Sequence, residues 1–276
     1  MTRRRMVLSL LALPVLTYAA ICIVLFFAQA ALLFPVGQVG SPGPLPRTAE
    51  RLELAAASGD RLRGVHIPPD RPAAERLLIL GFGGNAWNGD DMARTLHDLY
   101  PQADVVAFSY RGYPPSEGRP STAALQDDAV RIHDFAVARL RPTRTIAVGF
   151  SIGSGIAASL AAHRGLDGTI LVTPFDSLGK VAAGQYPWLP VRLLFRNPLE
   201  PARDLAGLRL PIAIVAAARD RLILPARTEA LRRAIPDLVF DATIAGVGHN
   251  DIYRDPGFPA AMTAALARIE AAPARH

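Results

Sequence analysis

The sequence predicts an α/β fold in which a mostly parallel sheet is covered by helices on both faces. Short, nearly all-apolar runs recur along the chain, as expected for strands that are buried on both sides. Amphipathic stretches with helical spacing separate these runs, which is the arrangement that parallel strands require. The chain has 276 residues, half of them hydrophobic, and this suffices for one large core with an appendage.

The predicted elements begin with a hairpin. RLELAAASGDRLRGVHIP contains two strands around Ser58-Gly59-Asp60 and predicts an antiparallel edge to the sheet. The buried strands that follow are RLLILGF, ADVVAFSY, TIAVGF, GTILVTP, PIAIVAAA and LVFDATI. The predicted helices lie in DDMARTLHDLY, TAALQDDAVRIHDFAVARL, SGIAASLAAH, PARTEALRRAI and PGFPAAMTAALARIEAA.

The N-terminus carries three arginines, Arg3–Arg5, followed by an uncharged stretch from Met6 to Val36. A helix of about 20 apolar residues spans a hydrocarbon core, so residues 1–36 predict an uncleaved signal-anchor. The arginines place its N-terminus on the cytoplasmic side and the rest of the chain on the opposite side. The alternative is a signal peptide cleaved after Ala28-Gln29-Ala30, although such peptides have apolar cores of only about 7–15 residues.

The Pro/Gly-rich residues 37–50 predict a linker that lifts the domain off the bilayer, and residues 51–276 the folded domain. The net charge is +6, of which Arg3–Arg5 account for three; further along, the two signs are interspersed without a basic block. This distribution argues against a nucleic-acid partner. Cys22 is the only cysteine, which excludes a disulfide scaffold and cysteine-ligated metal sites.

Ser151 lies in VGFSIGSG, between an apolar strand and a small-residue helix. In the turn called a nucleophile elbow, the residues two positions before and after the serine must be small, because strand and helix nearly touch. Gly149 and Gly153 meet this requirement. The alternative is a tight glycine turn in which the serine takes no part in chemistry.

A serine nucleophile needs a histidine base, and the histidine needs an acid. His249 lies in a glycine-flanked loop after the last strand, whereas His66, His97, His133, His163 and His276 are better explained as surface or hydrogen-bonded residues. Asp220 follows the penultimate strand directly. Asp176, one strand earlier, is the second choice of acid, and Asp251 is expected to cap the following helix. The order serine, acid, histidine is that of the α/β-hydrolases.

The oxyanion of such a reaction needs two backbone N–H donors. Ile152, after the serine, and Asn85, in the loop LILGFGGNAWN, are the predicted donors, with Ala86 as the next choice to Asn85. The same loop formally fits the dinucleotide pattern G-x-G-x-x-A. That alternative requires a helix that starts within the glycines, whereas the helical pattern starts only near Asp90.

The blocks GGNAWN, FSYRGYPPSEGRPS, GFSIGSG, TPFDSL, ARDRLILP and GVGHNDIY together resemble the membrane-anchored α/β-hydrolases of the serine aminopeptidase type. Relatives of that family include lysophospholipid and monoacylglycerol lipases and protein depalmitoylases. The resemblance implies a triad of Ser151, Asp220 and His249, with Asn85 and Ile152 as the oxyanion hole. The family usually has His-Gly before this asparagine, whereas this chain has Gly83-Gly84, which predicts a looser loop. The resemblance also implies a structural role for Arg111.

We therefore expect a membrane-anchored serine hydrolase that acts on acyl esters or thioesters, with a lipid-like or acyl small molecule as substrate. No cofactor and no metal is implied. The connection FDSLGKVAAGQYPWLPVRLLFRNPLEPARDL, residues 175–205, is long enough to form a small apolar lid. About half of its apolar side chains are expected to pack in the core. The alternatives are a serine peptidase and a non-catalytic, membrane-tethered binding domain.

Overall fold

The computed structural model describes residues 3–71 and 75–272, with side chains from Ala12 onward. Its centre is an eight-stranded sheet in the order β1-β2-β4-β3-β5-β6-β7-β8. The strands β1 and β2 form the predicted antiparallel edge, β2 is antiparallel to β4, and the other neighbours are parallel. The strands are β1 Glu50–Ala55, β2 Arg61–Ile67, β3 Leu77–Phe82, β4 Asp104–Phe108, β5 Arg144–Phe150, β6 Gly168–Val172, β7 Ile212–Ala217 and β8 Leu238–Ile244.

Helices connect these strands at the predicted places. The α-helices are α1 Arg3–Leu33, α2 Gly89–Leu99, α3 Thr122–Leu140, α4 Ile152–His163, α5 Leu178–Gln185, α6 Val191–Leu194, α7 Pro201–Leu205, α8 Pro225–Ala234 and α9 Gly257–Ala271. Polar side chains fix several of their starts: Asn88, Ser121 and Ser177 accept from backbone N–H groups in the first turns of α2, α3 and α5.

The core has two halves, one on each face of the sheet. On one face α3, α4, α7 and α8 contribute buried side chains such as Ile156 and Leu231. On the other face α2 and α9 contribute Met92 and Leu266. The strands β3, β4, β6 and β7 are buried along their whole length, whereas β8 at the edge alternates between half-buried and exposed residues. This explains why these strands are mostly apolar, with the buried Asp104 of β4 paired to Arg76.

The end of α1 is built into the domain. Phe34 directly follows the helix, is 1% exposed and belongs to the core on the α3–α4 face, where Leu33 packs beside it. The predicted linker does not extend away from the domain but lies along its surface. The backbone N–H of Gly43 donates to Asp91, and the Asn88 side chain donates to the carbonyl of Gly40. The direction in which α1 leaves the domain is therefore fixed by packing.

Candidate active site

Ser151 lies at the turn between β5 and α4, in the strand–turn–helix position predicted for it. Its φ of 52° and ψ of −118° strain a residue that carries a Cβ atom. A Cβ atom at Gly149 would lie 2.3 Å from the carbonyl oxygen of Gly153, and one at Gly153 would lie 2.2 Å from that of Phe82. Only glycine fits at these two positions, so the tight turn that presents the serine depends on them.

His249 and Asp220 form a hydrogen-bonded line with Ser151. His249 lies in the loop after β8, and Asp220 lies in the loop after β7. Nε2 of His249 is 2.9 Å from Oγ of Ser151, and Nδ1 of His249 is 2.7 Å from Oδ2 of Asp220. One tautomer satisfies both contacts, with the proton on Nδ1 and the lone pair of Nε2 facing the serine hydroxyl. His249 is 9% exposed and Asp220 is 6% exposed, so little water competes for these bonds.

The other candidate acids do not reach His249. The buried Asp176 accepts instead from Nζ of Lys180 at 3.0 Å and from Nη1 of Arg227 at 3.4 Å. Asp251 precedes a short 3₁₀ turn, Ile252–Arg254, and makes no side-chain capping bond, so the prediction that it caps this element is wrong. Backbone carbonyls accept from this turn instead: the N–H of Ile252 donates to that of Gly248, and the N–H of Arg254 donates to the carbonyl oxygen of Asp251.

The loop after β3 passes beside the serine. A Cβ atom at Gly84 would lie 3.9 Å from Cβ of Ser151. Asn85 follows Gly84 and Ile152 follows Ser151, so the two predicted oxyanion donors lie next to the serine, and their role stays a prediction. The helix α2 begins only at Gly89, beyond the glycine pattern of the loop, which argues against the dinucleotide-binding alternative.

Two tyrosine hydroxyls hold this loop. Tyr110 donates to the carbonyl oxygen of Gly83 at 2.7 Å, and Tyr113 donates to that of Asn85 at 2.5 Å. Burial raises the pKa of both phenols above the usual range, so both remain protonated donors at neutral pH. The sequence does not single out either tyrosine, although both lie in the block SYRGYPP. The two tyrosines hold the loop in which this chain has Gly83-Gly84 in place of the expected His-Gly.

Arg111, between these tyrosines, has the structural role that the resemblance implies. It is buried, its Nε donates to Asp128 in α3 at 3.0 Å, and its Nη1 donates to Ser58 in the β1–β2 turn at 2.9 Å. Among residues 3–71 and 75–272, no group of three or more His, Cys, Asp or Glu side chains is placed to hold a metal ion. His276 lies outside the described residues.

The lid, residues 175–205, contains α5, α6 and α7. Its apolar side chains divide between core and surface: Val181 and Val191 are buried, whereas Tyr186, Trp188 and Leu193 are 45%, 53% and 85% exposed. The lid is also bonded to the loop of the acid. Nε2 of Gln185 donates to the carbonyl oxygens of Arg221 and Leu222, each at 3.0 Å. Leu222 in turn donates its N–H to Oδ1 of Asp220 at 2.9 Å.

The eight-stranded, mostly parallel sheet with helices on both faces gives this chain the α/β-hydrolase fold. The resemblance seen in the sequence is thereby confirmed. A family model described as "alpha/beta hydrolase fold" matches residues 77–190, from β3 into the lid.

Comparisons with individual proteins agree with this class. The chain is 28% identical over 260 residues to the protein Rv2307c of Mycobacterium tuberculosis, with 90% of each chain covered. It is 25% identical over 213 residues to the lysophosphatidylserine lipase ABHD12 of Danio rerio, which covers 66% of this chain and 56% of that lipase. The solved structure of the Pyrococcus furiosus esterase PF2001 superposes with a TM-score of 0.66 at 14% identity, covering 83% of this chain and 96% of the esterase.

Proposed function

We propose that this protein is a membrane-anchored serine hydrolase that cleaves acyl esters or thioesters of lipid-like substrates through an acyl-enzyme. The observation that carries the proposal is the hydrogen-bonded line from Asp220 through His249 to Ser151. A serine hydroxyl is a weak nucleophile until an adjacent base takes its proton, and Nε2 of His249 is within reach to do so. The buried carboxylate of Asp220 stabilises the imidazolium that results.

The first half of the reaction forms the acyl-enzyme. Oγ of Ser151 attacks the carbonyl carbon of the ester while its proton moves to Nε2 of His249. The negative charge on the substrate oxygen is bound by the N–H groups of Ile152 and Asn85 in this proposal. When the tetrahedral intermediate collapses, the protonated His249 donates its proton to the leaving alcohol or thiol.

The second half releases the acid. Water replaces the departed alcohol or thiol, and Nε2 of His249 now takes a proton from this water, whose oxygen attacks the acyl carbon. A second oxyanion forms in the same place, and its collapse returns the proton to Oγ of Ser151. The residues that move protons are thus the same in both halves, and Asp220 keeps the imidazole in one tautomer throughout.

The apolar lid supports a lipid-like substrate. Tyr186, Trp188 and Leu193 expose large apolar surfaces together on one short segment. Large apolar side chains exposed close together in the chain are typical of a binding or membrane-contact surface. The name of one relative, a lysophosphatidylserine lipase, points to the same substrate class.

The helix α1 supports the anchor. In the described part of the chain, the segment Ala12–Gln38 is long and apolar enough to cross a membrane, and only 6% of its most apolar stretch is buried. A core helix would be mostly buried. The proposed topology keeps Arg3–Arg5 in the cytoplasm and places the domain on the other side of the membrane.

The test is a specificity series on the purified full-length chain. We expect kcat/KM for 4-nitrophenyl esters to rise from acetyl to dodecanoyl, and amino-acid 4-nitroanilides to be much poorer substrates. A preference for the anilides would replace the esterase proposal with a peptidase. A folded chain that turns over neither series would favour the non-catalytic binding domain.

A further inference from the structure

The helix α1 is hydrogen-bonded to the backbone of the lid. Nε2 of Gln29 donates to the carbonyl oxygen of Leu194 at 2.7 Å, and its Oε1 accepts from the N–H of Arg196 at 2.9 Å. One side-chain amide thus pairs with residues on both sides of Phe195, as the backbone of a neighbouring strand would. A helix that served only as a tether would not need this contact.

A second contact lies three turns earlier on the same face of α1. The hydroxyl of Tyr18 donates to the carbonyl oxygen of Trp188 at 2.8 Å. Tyr18 and Gln29 are eleven residues apart, which corresponds to about three helical turns, or about 16 Å along the axis. The guanidinium of Arg196 lies 4.9 Å from the centre of the Phe26 ring on the same stretch of helix. The outer part of the lid therefore lies along α1 and does not merely touch its end.

An apolar groove, open on one side, remains between the two, with a cavity volume of about 100 Å³. Its wall on α1 consists of Leu25, Phe26, Gln29, Leu32 and Leu33, and its wall on the lid consists of Ala182, Tyr186, Leu189, Val191, Leu194 and Phe195. Among the side chains that the structure describes, no charged one lines it. The amide of Gln29 is already bonded to the lid, so the groove offers an occupant almost only hydrocarbon.

Most backbone N–H groups of the lid beside this groove have partners within the protein. In hydrocarbon, backbone N–H and C=O groups must find partners within the protein. Pro187 and Pro190 have no N–H group to satisfy. The N–H groups of Leu189, Val191, Leu193, Leu194 and Phe195 donate within the lid itself. Tyr18 and Gln29 on α1 donate to two carbonyl oxygens of the lid, so these groups also have partners within the protein.

We propose that this α1–lid groove binds one hydrocarbon chain of a membrane lipid, so that α1 forms a wall of the acyl-binding site. The inference rests on the proposed function, since the bound chain is the acyl chain of the substrate. The contacts run from Tyr18 to Leu33, about 22 Å of helix, so the groove extends from the hydrocarbon core, about 30 Å thick, to the headgroup region in which the guanidinium of Arg196 lies. The groove then opens inside the leaflet, and a chain enters sideways from the bilayer. On the side of the lid away from α1, Gln185 bonds the lid to the loop that carries Asp220.

The test compares neighbouring positions on α1 in the full-length chain in phosphatidylcholine vesicles. Leu25→Trp fills the groove, whereas Val24→Trp adds the same ring at a residue that is 65% exposed and does not line it. We expect Leu25→Trp to lower the ratio of kcat/KM for 4-nitrophenyl dodecanoate over acetate by about tenfold or more. Val24→Trp keeps the ratio of the wild type. Gln29→Leu, which keeps α1 apolar but removes both bonds to the lid, raises KM for the dodecanoate and affects kcat less.

A readout that is independent of turnover completes the test. Vesicles that contain a phosphatidylcholine with a diazirine on its acyl chain are irradiated, and the crosslinked residues are mapped. Crosslinks to lid residues 186–195 that disappear in Leu25→Trp but persist in Val24→Trp support the groove. If the lid is not labelled, or if Leu25→Trp leaves the ester ratio unchanged, the groove proposal is wrong. Hydrolysis of the acetate ester in the same experiment shows that the proposed function still holds. A wild type that hydrolyses neither ester refutes the proposed function, and the crosslinks then decide on the groove alone.

Discussion

Nδ1 of His249 lies 2.7 Å from Oδ2 of Asp220, and the second oxygen of the same carboxylate is held by two backbone N–H groups. Leu222 donates to Oδ1 of Asp220 at 2.9 Å and Ile223 at 2.8 Å. The backbone of its own loop thus orients the carboxylate, independently of the bond to the imidazole. Asp176, at the end of the neighbouring strand, is instead paired with Lys180 and Arg227.

The first prediction separates these two carboxylates. Asp220→Asn should lower kcat by about 10³–10⁴-fold, because an amide no longer stabilises the imidazolium and favours the wrong tautomer. Asp176→Asn should leave kcat within about threefold and lower the free energy of unfolding by about 1–3 kcal/mol, since it weakens charged hydrogen bonds away from the serine. Ester hydrolysis and urea unfolding measure the two effects. If the two variants exchanged these outcomes, the acid would be Asp176.

The second prediction concerns the approach of α4 to the loop after β3, which is the proposed oxyanion loop. A Cβ atom at Gly153 would meet the carbonyl oxygens of Phe82 and Gly83 at 2.2 and 2.5 Å. Gly153→Ala should therefore displace that loop, reduce kcat by about tenfold or more and destabilise the fold by about 1–3 kcal/mol.

Gly165→Ala is the matched control, because nothing lies within 4 Å of a Cβ atom at this glycine just beyond the same helix. Its stability should stay within about 0.5 kcal/mol of the wild type. Equal losses of activity in the two variants would show that the contact with the loop does not matter.

The third prediction concerns the tyrosine that holds Asn85. Tyr113→Phe removes the donor to the Asn85 carbonyl, so the loop should lose its fixed position. We expect kcat to fall by about tenfold with little change in KM, as for a group that affects mainly the transition state. The control is Tyr100→Phe, which removes a buried hydroxyl that donates to the carbonyl of Met262 between α2 and α9. Both variants should lose stability, but only Tyr113→Phe should lose turnover. A KM effect alone would place Tyr113 in substrate binding.

The fourth prediction concerns the anchor. The full-length protein should stay in the membrane fraction through an alkaline carbonate wash, because α1 spans the bilayer in the proposed topology. Cleavage after Ala30 would remove Gln29, whose amide bonds the lid. N-terminal sequencing of the mature protein checks this directly. A soluble form that begins at Ala31 would contradict the anchor and the α1–lid groove together.

Much of the fold, and the hydrogen-bonded arrangement of Ser151, His249 and Asp220, could be predicted from local sequence. The buried parallel strands are mostly apolar, and Ser151, Asp220 and His249 follow β5, β7 and β8, which places them at one edge of the sheet. The glycines around Ser151 indicate that the strand and the helix approach each other closely, as a tight strand–helix turn requires. Each of these signals lies within a few residues of the feature that it predicts.

The contacts that the sequence did not reveal join distant parts of the chain. Gln29 and Leu194 are 165 residues apart, and Tyr113 lies 28 residues after Asn85. A glutamine in an apolar helix and a tyrosine in a loop have many possible partners, and only the packed fold selects one. The path of residues 37–49 along the surface could not be predicted for the same reason. A Pro/Gly-rich composition indicates local stiffness and turns, but not which residues the segment contacts.

Labelling with a small fluorophosphonate, followed by intact-mass and peptide mass spectrometry, tests the central claim most directly. We expect one adduct on the wild type, at Ser151, and none on Ser151→Ala, whose melting temperature should stay within about 4 °C of the wild type. His249→Ala should slow labelling by several orders of magnitude, because triad members act as a unit. A folded wild type that takes no label, or an adduct that persists in Ser151→Ala, would contradict the assignment of Ser151 as the nucleophile.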